Sequence, residues 1–243
     1  MNIFLTLAYL FFIGSVFGWV LELLFRNIVH KSKTWINPGF CTGPYLPIYG
    51  FGLCTLYLLA SLESLNLISD PLWNKAVLFI AMAVGMTAIE YIAGIFCLKF
   101  FKLRLWDYSD CWGNIQGIIC PSFSLAWAAL GAVYYFCIHP YILEGLQWLS
   151  ENLAFSFFIG MFFGVFLIDV AHSSQLVMKL KKFAEERKTV LAFEGIKGYL
   201  RDKHKSAGRK YRFFSPFHSD TPLREHLKSF VETIEKQRKE RKK

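Results

Sequence analysis

Residues 74–98 read NKAVLFIAMAVGMTAIEYIAGIFCL. Among these 25 positions the only charged side chains are Lys75, at the edge, and Glu90, well inside. About 20 mostly apolar residues suffice for a helix to cross the hydrocarbon core of a bilayer, so this stretch is long enough to span one. Four others follow the same rule: Ile3–Phe25, Pro44–Leu62, Ile115–Ile138 and Leu153–Ala171. The second is short and carries Gly50 and Gly52, which makes it the weakest of the five. Barrel strands alternate polar and apolar residues, and these runs do not. The expected fold class is therefore all-α, a polytopic membrane helix bundle of about five transmembrane helices with a basic helical tail.

Composition agrees. The chain has 243 residues, 54% of them hydrophobic, 18% aromatic and only 19% charged. This excludes a disordered chain, a coiled coil and an ordinary soluble enzyme. A formal charge of +9 looks out of place until it is divided. Residues 1–172 hold seven Lys/Arg against nine acids, and residues 173–243 hold 20 against nine, which gives −2 and +11. The expected organisation is a bundle over 1–172 and a basic tail with amphipathic helices over 173–243.

The loops predict orientation. Loop 26–43 carries Arg26, Lys31 and Lys33, and loop 99–114 carries Lys99, Lys102 and Arg104. Loops 63–73 and 139–152 carry no Lys or Arg. The positive-inside rule then predicts a multi-pass plasma-membrane protein with its N-terminus outside and its C-terminus in the cytoplasm. Nothing basic precedes the first apolar run, which reads against a cleaved signal peptide. Cys41, Cys54, Cys97, Cys111, Cys120 and Cys137 form no CxxC pair. Free thiols are expected, with no metal and no cofactor.

Polar groups in a membrane helix are costly and by default functional. Glu22, Glu90 and Asp169 all fall in the half of the bundle predicted to face the cytoplasm, and Asp107 joins them from an inner loop. Each has a plainer role open to it. Glu22 has Arg26 one turn on, Asp169 has His172, Glu90 could hold the bundle together, and Asp107 could tie its loop. Asn37–Gly52 packs three Pro and four Gly into 16 residues, including Gly43, Pro44 and Pro47. Such a segment cannot be helical throughout, and irregular backbone at membrane depth must be buried in protein or line a wet cavity. Pro121 is expected to kink the fourth span, with Asn114 and Gln116 at its mouth and His139-Pro140 ending it.

These stretches together resemble a known family. Gly18-Trp19-x-x-Glu22, Asn37-x-Gly39-Phe40, Gly43-Pro44-x-x-Pro47-Ile48-Tyr49-Gly50-Phe51-Gly52, Thr87-x-x-Glu90-Tyr91-x-x-Gly94, Trp106-Asp107-Tyr108-Ser109 and Asn114-Ile115-x-Gly117-x-Ile119-Cys120 are similar to the bacterial CmpB-like ABC-transporter permease family, over about residues 8–175. Pro121 and Ala128 depart from its pattern. The resemblance implies a permease component. It also marks Trp19, Glu22, Asn37, Gly43, Pro44, Pro47, Tyr49, Glu90, Tyr91, Trp106, Asp107, Ser109 and Asn114 as candidate cavity or substrate positions. The sequence holds no Gly-x-x-x-x-Gly-Lys-[Ser/Thr] loop, so a separate ATPase subunit would be a partner.

Residues 173–205 read as one charged amphipathic helix, with Leu176, Leu180, Phe183, Val190 and Leu191 as a partial apolar stripe and Gly195 and Gly198 weakening its end. Gly208, Arg209, Lys210 and Arg212 lie in a break. A second helix starts at Pro222 with Thr221 as its cap, and places Leu223, Leu227, Phe230, Val231 and Ile234 on one face. Anionic lipid headgroups are the expected partner of this tail and the bilayer that of the body. A homo-oligomer is an open possibility and nucleic acid is not expected. Three functions remain open: a transporter or permease component with a polar cavity open to the cytoplasm, a membrane scaffold acting through the tail, and an intramembrane enzyme on a lipid headgroup. The enzyme would use Glu90 as acid/base and Asp107, or Asp169 with His172, on a metal.

Overall fold

The computed structural model describes residues 2–29, 36–65, 69–206, 213–214, 216–217 and 222–240. Lys31 and Lys33, the break around Gly208, Arg209, Lys210 and Arg212, and the Thr221 cap lie outside the described residues. The fold is a helix bundle: α1 (Ile3–Val29), α2 (Pro47–Ser61), α3 (Pro71–Phe101), α4 (Pro121–Val133), α5 (His139–Glu151) and α6 (Ser156–Glu186), followed by α7 (Phe193–Ser206) and α8 (Leu223–Glu240). Four helical stretches are long and apolar enough to cross a membrane: 3–28, 71–101, 121–151 and 153–186. Together they fit a membrane protein. The second expected span is a helix of only 15 residues, Pro47–Ser61. At 1.5 Å per residue that is about 22 Å, less than the roughly 30 Å of a hydrocarbon core.

The ends of the helices follow from local chemistry. Asp70 caps α3, accepting from the Leu72 and Trp73 backbone N–H groups at 2.8 and 3.2 Å. Pro71 takes the first turn, where a missing N–H costs nothing. Lys102 stops the helix in the left-handed conformation, at φ 55°. Pro47 and Pro121 likewise open α2 and α4.

Two expectations about prolines are corrected. Pro121 does not kink a helix begun at Ile115, because the helix begins at Pro121 itself. Residues 115–119 form a tight turn in which the Ile115 N–H donates to the Ile119 carbonyl at 2.9 Å, with Gln116 and Gly117 at positive φ. Nor does His139-Pro140 end the span. A π-helical turn at Tyr134–Ile138 precedes it, and the helix runs on to Glu151. The wider turn absorbs the proline, whose missing N–H falls in the first turn of α5.

Packing between α1 and α2 depends on small residues. A Cβ on Gly18 would overlap the Tyr49 side chain, and one on Gly50 would strike Ser15 and Phe11. Backbones can therefore approach closely there. Against α6, Phe12 meets Phe162 and Phe11 meets Phe163 and Phe166, with ring centroids 4.6–5.6 Å apart.

The segment 173–205 is not one helix, which corrects the sequence expectation. α6 runs unbroken through residue 172 to Glu186, and the chain turns over 187–190. Leu191–Ala192 (β2) then pairs in parallel with Leu103–Arg104 (β1), and α7 follows. Burial explains the break, since Leu103, Leu180, Phe183, Leu191, Phe193, Ile196 and Leu200 share one core with Leu227 and Phe230 of α8. A continuous helix could not fold back to bury them. The apolar face expected of α8 is the face it uses, with Leu223, Val231 and Ile234 packed at the edge of that core. Val190 is 47% exposed and lies outside it.

Candidate functional site

The candidate polar side chains gather around the later parts of α1 and α3, the middle of α6 and the starts of α2 and α4, next to the tail. Glu90, on α3, is only 3% exposed. Tyr108 Oη donates to its Oε1 at 2.9 Å and Trp127 Nε1 to its Oε2 at 3.0 Å. The Tyr108 ring stacks on Phe123 at 4.3 Å, which fixes the donor's direction. Burial, and then the Glu90 carboxylate, push the Tyr108 phenol above its ordinary pKa, so it remains a donor.

Glu22 sits on α1 across an aromatic pair from Glu90. Tyr49 Oη donates to Glu22 Oε2 at 2.8 Å, and the Tyr49 ring lies 5.7 Å from that of Trp127. Arg26 Nε donates to Glu22 Oε1 at 2.7 Å, the i,i+4 pair expected from the sequence. The guanidinium also reaches the tail, with Nη1 2.9 Å from Glu194 Oε2. Beside it, Lys197 of α7 is 2% exposed. Its Nζ donates to the Asn37 carbonyl at 2.7 Å and to that of Gly39, and stands 3.6 Å from Glu194 Oε1. Asn37 is the node of this segment. Its Oδ1 accepts from Trp19 Nε1 at 2.7 Å, and its Nδ2 donates to the Cys41 and Thr42 carbonyls. Burial raises the Cys41 thiol to a pKa of about 12, keeping it protonated.

Asp169 occupies a cradle of donors. Thr42 N–H and Ser173 Oγ reach Oδ1 at 3.2 and 3.0 Å, and Gly43 N–H reaches Oδ2 at 2.8 Å. The Thr42 and Tyr45 hydroxyls donate to the same carboxylate. Among the described residues, the donors to Asp169 thus come from the Gly/Pro segment and Ser173, not from His172, the pairing read from the sequence.

Asp107 ties its own loop. It takes Ser109 N–H at 3.0 Å and Arg104 Nη1 at 2.5 Å. Partial burial pulls its pKa up, but the Ser109 and Arg104 hydrogen bonds outweigh this and hold it below the usual carboxylate range. Asn114 closes the turn, donating to the Ser109 and Cys111 carbonyls and accepting from Gly117 N–H. Trp106 Nε1 donates to the Ile118 carbonyl at 2.8 Å.

The structure therefore brings Trp19, Glu22, Asn37, Tyr49 and Glu90 into one region, with Gly43 contributing its N–H. Trp106, Asp107, Ser109 and Asn114 form a second group, linked to the first through Tyr108. Pro47 starts α2, Tyr91 is half-buried and Pro44 is exposed. Sequence reasoning missed Tyr45, Trp127, Glu194 and Lys197 and did not single out Tyr108. The i,i+3 spacing of Glu194 and Lys197 was visible, but nothing local told that α7 folds back under residues 36–46. Among the described residues no three His, Cys, Asp or Glu side chains gather as a metal site. A cavity of about 350 Å³ opens between α6, α7, residues 37–42 and Phe214, Pro216 and Phe217, with Asn37 from the candidate set in its wall. Glu22, Glu90 and Asp107 are not in that wall.

Neither the curated proteins nor the solved structures contain a match to the chain. The model of one family, described as "Putative ABC-transporter type IV", matches residues 9–174, well over half of the sequence. That match covers every residue of the two polar groups except Glu194 and Lys197, and the chain belongs to this CmpB family of ABC-transporter type.

Proposed function

We propose that the chain is the membrane-embedded component of a transporter, multi-pass in the plasma membrane, with the tail-side end of the bundle in the cytoplasm. A separate ATPase subunit would grip loop 102–120 and the tail. One observation carries this reading: a buried carboxylate, Glu90, is kept inside an apolar helix with its two donors, and a second, Glu22, lies across Tyr49 and Trp127 from it. Carboxylates are held at such depth at high cost, and they mark routes for ions or polar solutes. The family membership supports the same class.

The test is electrical. Proteoliposomes containing the chain are challenged with inorganic ions, amino acids and quaternary amines on a solid-supported membrane. A solute current that falls to background in Glu90→Ala, with helical content intact, is the expected result. No current for any solute, from the chain alone or reconstituted with the ATPase that co-purifies with it, would overturn transport, and an undiminished current in the variant would remove Glu90 from the route. Cysteines introduced at Glu144 and Lys205 check the orientation. Labelling of the latter from outside intact cells would reverse it.

A further inference from the structure

The cavity beside the tail has a composition unlike the rest of the bundle. Its charged lining residues are Lys179 and Lys197, joined by His172, Asn37, Ser173 and Gln175, and no carboxylate is among the described residues that line it. Two acids that contact its lining are already engaged: Asp169 by the Thr42, Gly43, Tyr45 and Ser173 donors, and Glu194 by Arg26 and Lys197. Lys197 is held by the Asn37 and Gly39 carbonyls and lies 3.6 Å from Glu194, while Lys179 is exposed, with no partner among the described residues. The other walls are apolar, from Phe40, Leu176, Phe193 and Phe217.

The position of the cavity along α6 identifies the guest. His172, Gln175 and Lys179 follow one another on one helix face at i, i+3 and i+7. That face continues backwards as Phe158, Met161, Val165 and Ile168, which are 52%, 54%, 56% and 73% exposed. Ile168 and His172 are one turn, about 6 Å, apart along the axis. A stripe that belongs in hydrocarbon thus runs directly into a cationic, hydrogen-bonding pocket, which is the profile of an amphiphile with an anionic head.

We infer that this cavity binds a phosphate-bearing anion at the membrane surface, as the headgroup of an anionic lipid whose acyl chain lies along the exposed stripe of α6. Lys179 and His172 contact the phosphate, and the buried Lys197 lies beneath it. The site rests on the membrane placement of the bundle but not on transport, so a chain that moves no solute would leave it standing.

Native mass spectrometry of the full chain with phosphatidylglycerol and phosphatidylcholine tests this, with inorganic phosphate added in a parallel thermal unfolding series. Preferential retention of phosphatidylglycerol is expected. It should fall roughly fivefold or more in Lys179→Glu, following the contribution of one basic residue near an anionic surface, and remain in Lys205→Glu. Stabilisation by inorganic phosphate that Lys179→Glu abolishes, without lipid retention, would also support the site and make its source a soluble anion. Retention that ignores Lys179→Glu, or an equal loss in both variants, would overturn the site in favour of general surface attraction. So would the absence of both lipid preference and phosphate stabilisation.

Discussion

At the residue scale, the carboxylates differ in what removing them exposes. Asp169 accepts on both oxygens, so Asp169→Asn places an amide NH₂ against donors from the Gly/Pro segment. An unsatisfied buried donor costs about 1–3 kcal/mol, and thermal unfolding in nanodiscs should show a loss of that size. Thr42→Val removes a single donor and should cost about 1 kcal/mol. An Asp169→Asn protein as stable as the wild type would show that the cradle does not need a carboxylate. Lys197 gives a pH signature. Burial holds its ammonium below the ordinary value of 10.5, with Glu194 opposing and Arg26 adding to the effect. The unfolded chain then holds that proton more tightly, so the cost of buried charge is present below the depressed pKa and is relieved as pH rises through it. Relative to Lys197→Met, the wild type should gain stability between neutral pH and 10.5; a constant difference would contradict this.

At the scale of elements, the close approach of α1 and α2 makes a sharp prediction. Gly18→Ala puts a methyl group into the Tyr49 side chain and should cost about 1–3 kcal/mol, read as a lowered melting temperature. Pro121→Ala should change it little, since Pro121 only opens a helix. The long helices were legible because a run such as Asn74–Leu98 has one structural solution in a bilayer. Their ends were less so. Pro121 carries the same letter whether it kinks a helix or begins one, and the difference lies in the turn at 115–119, which needs Gly117 at positive φ. Glu22 with Arg26 was legible as a neighbour pair. Trp127 with Glu90 was not, because 37 residues separate them and only the packing of α4 on α3 joins them. The single helix expected over 173–205 failed for the same reason: Leu191 is drawn to Leu103, which no local pattern reports.

At the scale of the molecule, bundle and tail are fastened at several points. Arg26 meets Glu194, Asn37 and Gly39 meet Lys197, β1 pairs with β2, and Phe213 and Phe214 pack on Trp19 at 6.3 Å. The apolar core under α7 and α8 keeps those fasteners in place. Leu227, 2% exposed, is central to it. Leu227→Asp would bury a charge and should release the tail. Limited trypsin digestion should then cut after residue 187 faster than in the wild type, with the membrane-embedded fragment unchanged. Equal cutting rates would mean that the tail is held by the bundle alone.

The pairing of Leu103 with Leu191 also sets an order of assembly. A ribosome releases residue 103 long before residue 191, so β1 and the Asn37 and Gly39 carbonyls wait for partners that do not yet exist, and Arg26 has Glu22 but not yet Glu194. α1 is thus completed by α7, a segment made only after all six bundle helices. A chain halted before α7 therefore leaves the Asn37 and Gly39 carbonyls without their ammonium donor and Arg26 with Glu22 alone.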